Sequence, residues 1–116
     1  MNIDMVNAEI QRELSKIINY DLKDPRVKGI VTVLRVDTTV DLKHCKVNIS
    51  IMGEVDETDA TFDAILRAKG YIRKELARRL RIRQVPELNF VKDDSIEHSI
   101  RISKILNDIN NDKNNG

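Results

Sequence analysis

Residues 61–83, TFDAILRAKGYIRKELARRLRIR, contain the pattern that decides the fold. Apolar residues recur through this stretch at helical spacing, which predicts helix on both sides of its centre. Gly70 lies at that centre, where glycine costs about 1 kcal/mol relative to alanine in a helix interior. The sequence therefore predicts two helices joined by a bend at Ala68-Lys69-Gly70.

The second of these helices is predicted to have an apolar side and a basic side. Successive helical residues lie about 100° apart, so Ile72, Leu76 and Leu80 share one side. Lys74, Arg78 and Arg81 fall opposite them, and Arg73 and Arg79 lie on the flanks. We expect the apolar side to pack on a core and the basic side to face outward.

Positive charge is concentrated in this stretch. Between Arg67 and Arg83, eight basic residues stand against one acidic residue, Glu75, which makes that segment +7. The whole chain is only +1, so the remainder carries about −6. An ordinary solvated face mixes both signs, and this one does not, which favours contact with RNA. The predicted RNA-binding residues are Arg67, Lys69, Arg73, Lys74, Arg78, Arg79, Arg81 and Arg83.

The chain before this stretch shows one helical pattern and two strand patterns. Residues 2–21 have apolar positions at three and four residue steps, and Pro25 ends the helix that they predict. Residues 30–37 and 43–51 are predicted as two strands of a hairpin. The acidic residues 53–59 are predicted as a loop.

The chain after this stretch predicts a third strand and a last helix. Leu88 and Phe90 alternate in a short strand after Pro86, and Asp94 begins a helix. Residues 110–116 contain no apolar side chain and are predicted to be disordered. The order predicts an α+β fold of two layers, in which helices cover a three-stranded sheet. Residues 1–109 are expected to form one domain.

Several classes of function are disfavoured by composition. The chain has one cysteine, Cys45, and two histidines, His44 and His98, without the short spacing of zinc ligands. His44 and Cys45 are adjacent on a predicted strand, so they point to opposite faces and cannot act as a nucleophile and its base. We therefore expect no enzymatic activity, no metal and no cofactor.

Location and assembly follow from the distribution of apolar residues. No apolar run approaches the roughly 20 residues that a membrane helix needs, and the N-terminus lacks the pattern of a secretory signal. One core uses all the periodic apolar positions. The sequence therefore predicts a cytoplasmic monomer that does not contact membranes.

Aromatic residues are scarce. Phe62 and Phe90 occupy predicted core positions, and Tyr71 beside the bend is the candidate for stacking on a base. Readers of single strands depend on aromatic platforms. The composition therefore favours recognition of phosphates and RNA shape over recognition of a base sequence.

A helix-bend-helix between two strands is also the core arrangement of KH domains, whose GXXG loop clamps nucleotide backbones. Five segments resemble, in order and spacing, the ribosome-binding factor A family, and the similarity extends from Asn2 to Leu106. They are Asp24-Pro25-Arg26-Val27, Gly70-Tyr71-Ile72-Arg73, Arg78-Arg79-Leu80-Arg81-Ile82-Arg83, Pro86-Glu87-Leu88-Asn89-Phe90 and Asp93-Asp94-Ser95. The resemblance implies a type II KH-like domain in which an Ala-x-Gly kink, here Ala68-Lys69-Gly70, replaces the GXXG loop.

The same resemblance implies a function and a partner. Members of the family bind the small ribosomal subunit and its 16S rRNA and assist late maturation, including processing of the RNA's 5′ end. They are also associated with growth in the cold. Two alternatives remain at this stage: a general KH-like RNA-binding module, and a protein-interaction module whose acidic surface at residues 54–63 recruits a partner.

Overall fold

The computed structural model describes residues 2–22, 24, 27, 31–82 and 84–93. Pro25, Arg83, the predicted last helix and the polar tail lie outside these residues. The helices are α1 (Ile3–Lys16), α2 (Val55–Arg67) and α3 (Lys69–Leu80), and the strands are β1 (Val31–Thr38), β2 (His44–Ile51) and β3 (Glu87–Lys92). A π-helical turn, Ile17–Asp21, continues α1.

The three strands form one sheet in the order β1-β2-β3. β1 is antiparallel to β2, whereas β3 is parallel to β2. A parallel pair needs a crossover connection, and here α2 and α3 supply it. The predicted α+β fold of two layers, with helices over a three-stranded sheet, is confirmed.

Alternate strand residues build the core. The predicted buried face of β2, which contains Cys45, Val47, Ile49 and Ile51, is confirmed. In β1 the pairing with β2 shifts register between Val33 and Arg35. This bulge inserts one residue, so the inward positions become Val31, Val33 and Val36. α1 and α3 cover this face with Ile10, Leu14, Ile72 and Leu76, all fully buried.

α1 follows the prediction closely at both ends. The Asn2 side chain caps it by accepting a hydrogen bond of 2.9 Å from the Asp4 amide. At the other end, the Leu22 amide donates to the Ile17 carbonyl at 3.1 Å and closes the π-helical turn. Leu22 itself is extended, so the helix ends before the segment that contains Pro25.

The loop predicted for residues 53–59 was wrong, because α2 already begins at Val55. Asp56 and Glu57 lie in its first turn, where carboxylates interact favourably with the positive end of the helix dipole. The start is also tied to the sheet, since Lys92 Nζ donates to Thr58 Oγ1 at 2.9 Å and Asp59 Oδ1 at 2.7 Å. The acidic run is therefore a helix start.

α1 covers the outer edge of β1 with polar side chains. Asn7, Gln11, Ser15 and Asn19 recur at steps of four and form one stripe of the helix. Thr38 N donates to Asn7 Oδ1 at 3.0 Å, and Gln11 Nε2 donates to the Val33 carbonyl at 2.9 Å. These contacts satisfy backbone groups that an edge strand leaves open.

Asn19 makes the fullest of these contacts. Its Oδ1 accepts from Val31 N at 3.1 Å, and its Nδ2 donates to the Val31 carbonyl at 2.8 Å. Nδ2 also donates to the Ser15 carbonyl at 2.9 Å. The Asn19 side-chain amide therefore gives Val31, the first residue of β1, the two hydrogen bonds that a neighbouring strand would give it.

Replacing Asn19 with alanine should lower the free energy of unfolding by about 1 to 3 kcal/mol, because half-buried backbone groups of Val31 lose their partners. Urea unfolding followed by circular dichroism measures the change. The exposed neighbour Lys16→Ala is the control and should stay within about 0.5 kcal/mol. Equal effects of the two substitutions would contradict the role given to Asn19.

Among the described residues, no helix is long and apolar enough to cross a membrane.

Candidate nucleic-acid interface

The predicted bend is confirmed at a single residue, Ala68. Ala68 has φ −84° and ψ 5°, ends α2 and precedes α3. Its amide donates to the carbonyls of Ala64 and Ile65 at 3.0 and 3.1 Å, and its own carbonyl accepts from Ile72 N at 2.9 Å. The kink is therefore a rigid junction that fixes the direction of α3.

Gly70 lies in the first turn of α3, and nothing in the described fold requires a glycine there. Its φ is not positive, since Gly53 is the glycine with a positive φ among the described residues. A Cβ built at Gly70 would meet no atom of a neighbouring element within 4 Å. Alanine is the better helix former, so the packing of the described residues gives no reason for a glycine at this position.

Arg81 presents the opposite case at the other end of α3. It has φ 55° and ψ 39°, the left-handed conformation in which helices usually place glycine. A side chain with a Cβ is strained there by roughly 1 kcal/mol. The Arg81 side chain is exposed, so packing does not compensate for the strain. Both ends of α3 therefore hold residues that local stability disfavours, a pattern expected at functional positions.

The predicted cations divide into three groups by their contacts. Arg67, Lys74 and Arg81 are exposed, and none of the ion pairs among the described residues includes them. Arg78 is also exposed but bonds to Glu75 at 2.8 Å, which holds the pKa of that carboxyl below its usual value. These four side chains are positioned to reach a phosphate.

The second group lies at the kink. Lys69 Nζ bonds to Glu87 at 2.8 Å, and Arg73 approaches the same carboxylate at 3.4 Å. Arg73 also donates to the Val85 carbonyl at 2.9 Å. The hydrogen bond from Lys69, and then the Lys69 and Arg73 charges, lower the pKa of Glu87. Both cations are therefore anchored to the start of β3.

Arg79 forms the third group and points to α1. It pairs with Glu13 at 3.3 Å, with Glu75 at 3.5 Å and with Asp21, and its side chain is only 22% exposed. Burial by itself would lower the pKa of Arg79, but Glu13 and Asp21 outweigh burial and raise it. Arg79 is the ionic link between α3 and α1. Arg83, the remaining predicted cation, lies outside the described residues.

Two candidate residues, one in α1 and one in the π-helical turn that continues it, were missed by the prediction. Arg12 lines an open cleft of about 260 Å³ together with Arg79 and Arg81 of α3. Tyr20 is 82% exposed, against 45% for Tyr71, the aromatic residue that the sequence favoured. The sequence did contain an indication that these two residues are related, because Arg12 and Tyr20 are eight residues apart, which is two steps of four.

Cys45 and His44, which are adjacent in β2, do not meet as a nucleophile and its base. Cys45 is buried, and burial raises the pKa of its thiol. His44 is exposed on the other face of β2. Within the described part of the chain, no cluster of three or more His, Cys, Asp or Glu residues could hold a metal ion.

Arg79 and Arg78 are adjacent in sequence but differ in role, which gives a test. Arg79→Met should lower the free energy of unfolding by about 1 to 3 kcal/mol, because Glu13 and Asp21 lose their counter-charge in a partly buried site. Arg78→Met should change it by less than about 0.5 kcal/mol. Guanidinium unfolding of both variants measures the difference, and the reverse order would show that Arg79 is not the link.

A two-layer α+β domain in which a helix-kink-helix connects two parallel strands has the arrangement of the KH-like class. The ribosome-binding factor A family model matches residues 2–106, and the chain belongs to that family. Ribosome-binding factor A of Caldicellulosiruptor bescii is 45% identical over 109 residues, which cover 92% of this chain and 83% of that protein.

Solved structures agree with this assignment. The solution structure of a Thermotoga maritima ribosome-binding factor A is 36% identical with a TM-score of 0.68, over 81% of this chain and 89% of that one. A homology model of the Thermus thermophilus factor, fitted into a cryo-electron microscopy map of a 30S complex with that factor, is 30% identical with a TM-score of 0.63. That match covers 76% of this chain and 91% of the Thermus chain.

Proposed function

We propose that this protein is an assembly factor that binds the free small ribosomal subunit through its 16S rRNA, using the exposed basic side of α2, the kink and α3. The observation that carries the proposal is the set of exposed cations on both sides of the kink, Arg67, Lys74 and Arg81, which have no ionic partner among the described residues. A family relative in a 30S complex supports the choice of partner.

The three groups of cations have different roles in this proposal. Arg67, Lys74 and Arg81 engage phosphates directly, and Arg78 does so by exchanging Glu75 for a phosphate. Lys69 and Arg73 stay near Glu87 and add positive potential around the kink. Arg79 keeps the α3 surface in a fixed position against α1.

The kink adds a backbone contribution. The first amides of α3 lie at the positive end of the helix dipole, and Gly70 has no side chain that would cover them. A phosphate can therefore approach the chain at Gly70 more closely than any side chain at that position would permit. Such an approach accounts for a glycine that the packing of the described residues does not require.

The finer function that we propose is late maturation of the subunit, including processing of the 5′ end of 16S rRNA, with greatest importance in the cold. The protein acts as a cytoplasmic monomer and as a binding factor without bond chemistry, metal or cofactor. A protein-interaction module built on the acidic start of α2 is the rival, and it predicts binding that does not depend on the basic side of α3.

Neutralising Arg67, Lys74 and Arg81 to glutamine should weaken binding to purified small subunits and reduce its salt dependence. Each phosphate that the variant no longer neutralises should lower the slope of log affinity against log salt by about 0.7 to 0.9, so the triple variant loses about 2 to 3. Sedimentation of protein with subunits across a salt series measures this slope.

The matched control neutralises Arg35, Lys43 and Lys46 on the hairpin, which changes net charge equally and also uses exposed residues. Its slope should stay near that of the wild type. If the hairpin variant loses binding and the α2–α3 variant does not, the interface lies on the hairpin. In cells, the α2–α3 variant should accumulate free small subunits and precursor 16S rRNA, most of all at low temperature. Normal subunit and RNA profiles would contradict the maturation role.

Gly70→Ala separates stability from binding. The free energy of unfolding should rise by up to about 1 kcal/mol, because alanine is the better helix former and its Cβ has open space. Affinity for small subunits should nevertheless fall, because the Cβ keeps the phosphate away from the backbone. Thermal unfolding and sedimentation measure the two quantities. A variant that is more stable and binds as tightly as the wild type would exclude close approach at Gly70.

A further inference from the structure

Tyr20 holds an aromatic ring in solvent, with 82% of the residue exposed. The π-helical turn explains why. In this turn Ile17 and Ile18 are both fully buried, and Asn19 reaches the edge of β1. Asp21 bonds to Arg79, which leaves the outward position to Tyr20. The fold therefore presents the ring outward and gains no packing from it.

Tyr20 stands at the end of a basic strip on α1. Arg12 and Lys16 are four residues apart and follow one another along one side of α1, about 6 Å apart, and Tyr20 comes four residues later in the π-helical turn that continues α1. All three are exposed. Lys16 lies 3.7 Å from Glu13, a weak surface pair, and none of the ion pairs among the described residues includes Arg12.

The strip on α1 is continuous with the basic surface of α3. Arg12 and Arg81 line the same cleft of about 260 Å³, whose other walls include Glu9, Glu13, Arg79 and Leu80. Arg79 binds Glu13 within that cleft and Asp21 beside Tyr20. The two helices therefore present one surface across their junction, fixed by a single arginine.

We propose, on the basis of the function proposed above, that the strip Arg12, Lys16 and Tyr20 is a second RNA-contact surface, on which Tyr20 stacks against an unpaired base of 16S rRNA. An exposed ring in line with cations is the arrangement by which proteins hold single-stranded nucleotides, since the ring takes the base and the cations take phosphates. RNA is the partner that we infer for this strip, because Arg12 shares its cleft with Arg81 of the basic surface proposed to bind 16S rRNA.

The stacking role predicts a loss that depends on the ring alone. Tyr20→Ala should weaken binding to small subunits by about 5- to 150-fold, the range expected for one stacked base. Tyr20→Phe should bind within about twofold of the wild type, because stacking does not need the hydroxyl group. Both variants should unfold at the wild-type temperature, since the side chain is exposed.

A fluorescence measurement identifies the contact directly. The chain contains no tryptophan, so Tyr20→Trp introduces a single tryptophan whose emission can be followed. On titration with protein-free 16S rRNA, stacking should quench its emission. Val40→Trp, at a position that is 90% exposed in the turn between β1 and β2, is the matched control and should keep its emission.

The outcomes distinguish this inference from the function on which it rests. If wild-type protein sediments with neither small subunits nor 16S rRNA, the proposed function fails. If wild-type protein binds, but the tryptophan at position 20 is not quenched or Tyr20→Ala binds with wild-type affinity, the stacking contact is refuted and the proposed function stands. A blue shift on small subunits without quenching by RNA would assign Tyr20 to a protein contact instead.

Discussion

The ionic link made by Arg79 is the interaction on which the rest of the surface depends. α3 must bury Ile72 and Leu76 on the sheet while it keeps a row of guanidinium groups in water. Its apolar stripe alone leaves the helix free to roll, because hydrophobic contact has no direction. The bonds from Arg79 to Glu13 and Asp21 are directional and attach α3 to two points along α1. They also neutralise carboxylates that would otherwise repel a polyanion from the same surface.

Periodicity in the sequence was sufficient to predict the architecture and the kink. Strands, helices and the buried side of α3 depend on residues close together in sequence, so their patterns are visible without the fold. The start of α2 was mispredicted because acidic residues are common both in turns and in the first turn of a helix. The helical start is stabilised by Lys92, which bonds to it from more than 30 residues away in the sequence. The composition of residues 53–59 alone does not reveal that contact.

The candidate cations could be proposed from the sequence, but the partners that distinguish them could not. Arg73 and Arg79 differ from Lys74 because they pair with Glu87, Glu13 and Asp21, which lie far from them in the sequence. The exposure of Tyr20 likewise depends on a π-helical turn that rotates one residue outward relative to a regular helix. Only the α1 spacing of Arg12 and Tyr20 was present in the sequence as a usable signal.

The amide contacts between α1 and β1 have a consequence for the way in which this surface meets a partner. Asn7, Gln11 and Asn19 bond to β1 at successive points, so sliding α1 by one residue would break all of them together. The helix is therefore locked in register with the strand, and the side chains on its outer face keep their spacing before any encounter. A preorganised footprint loses little conformational entropy on association, so more of the contact energy is available as affinity.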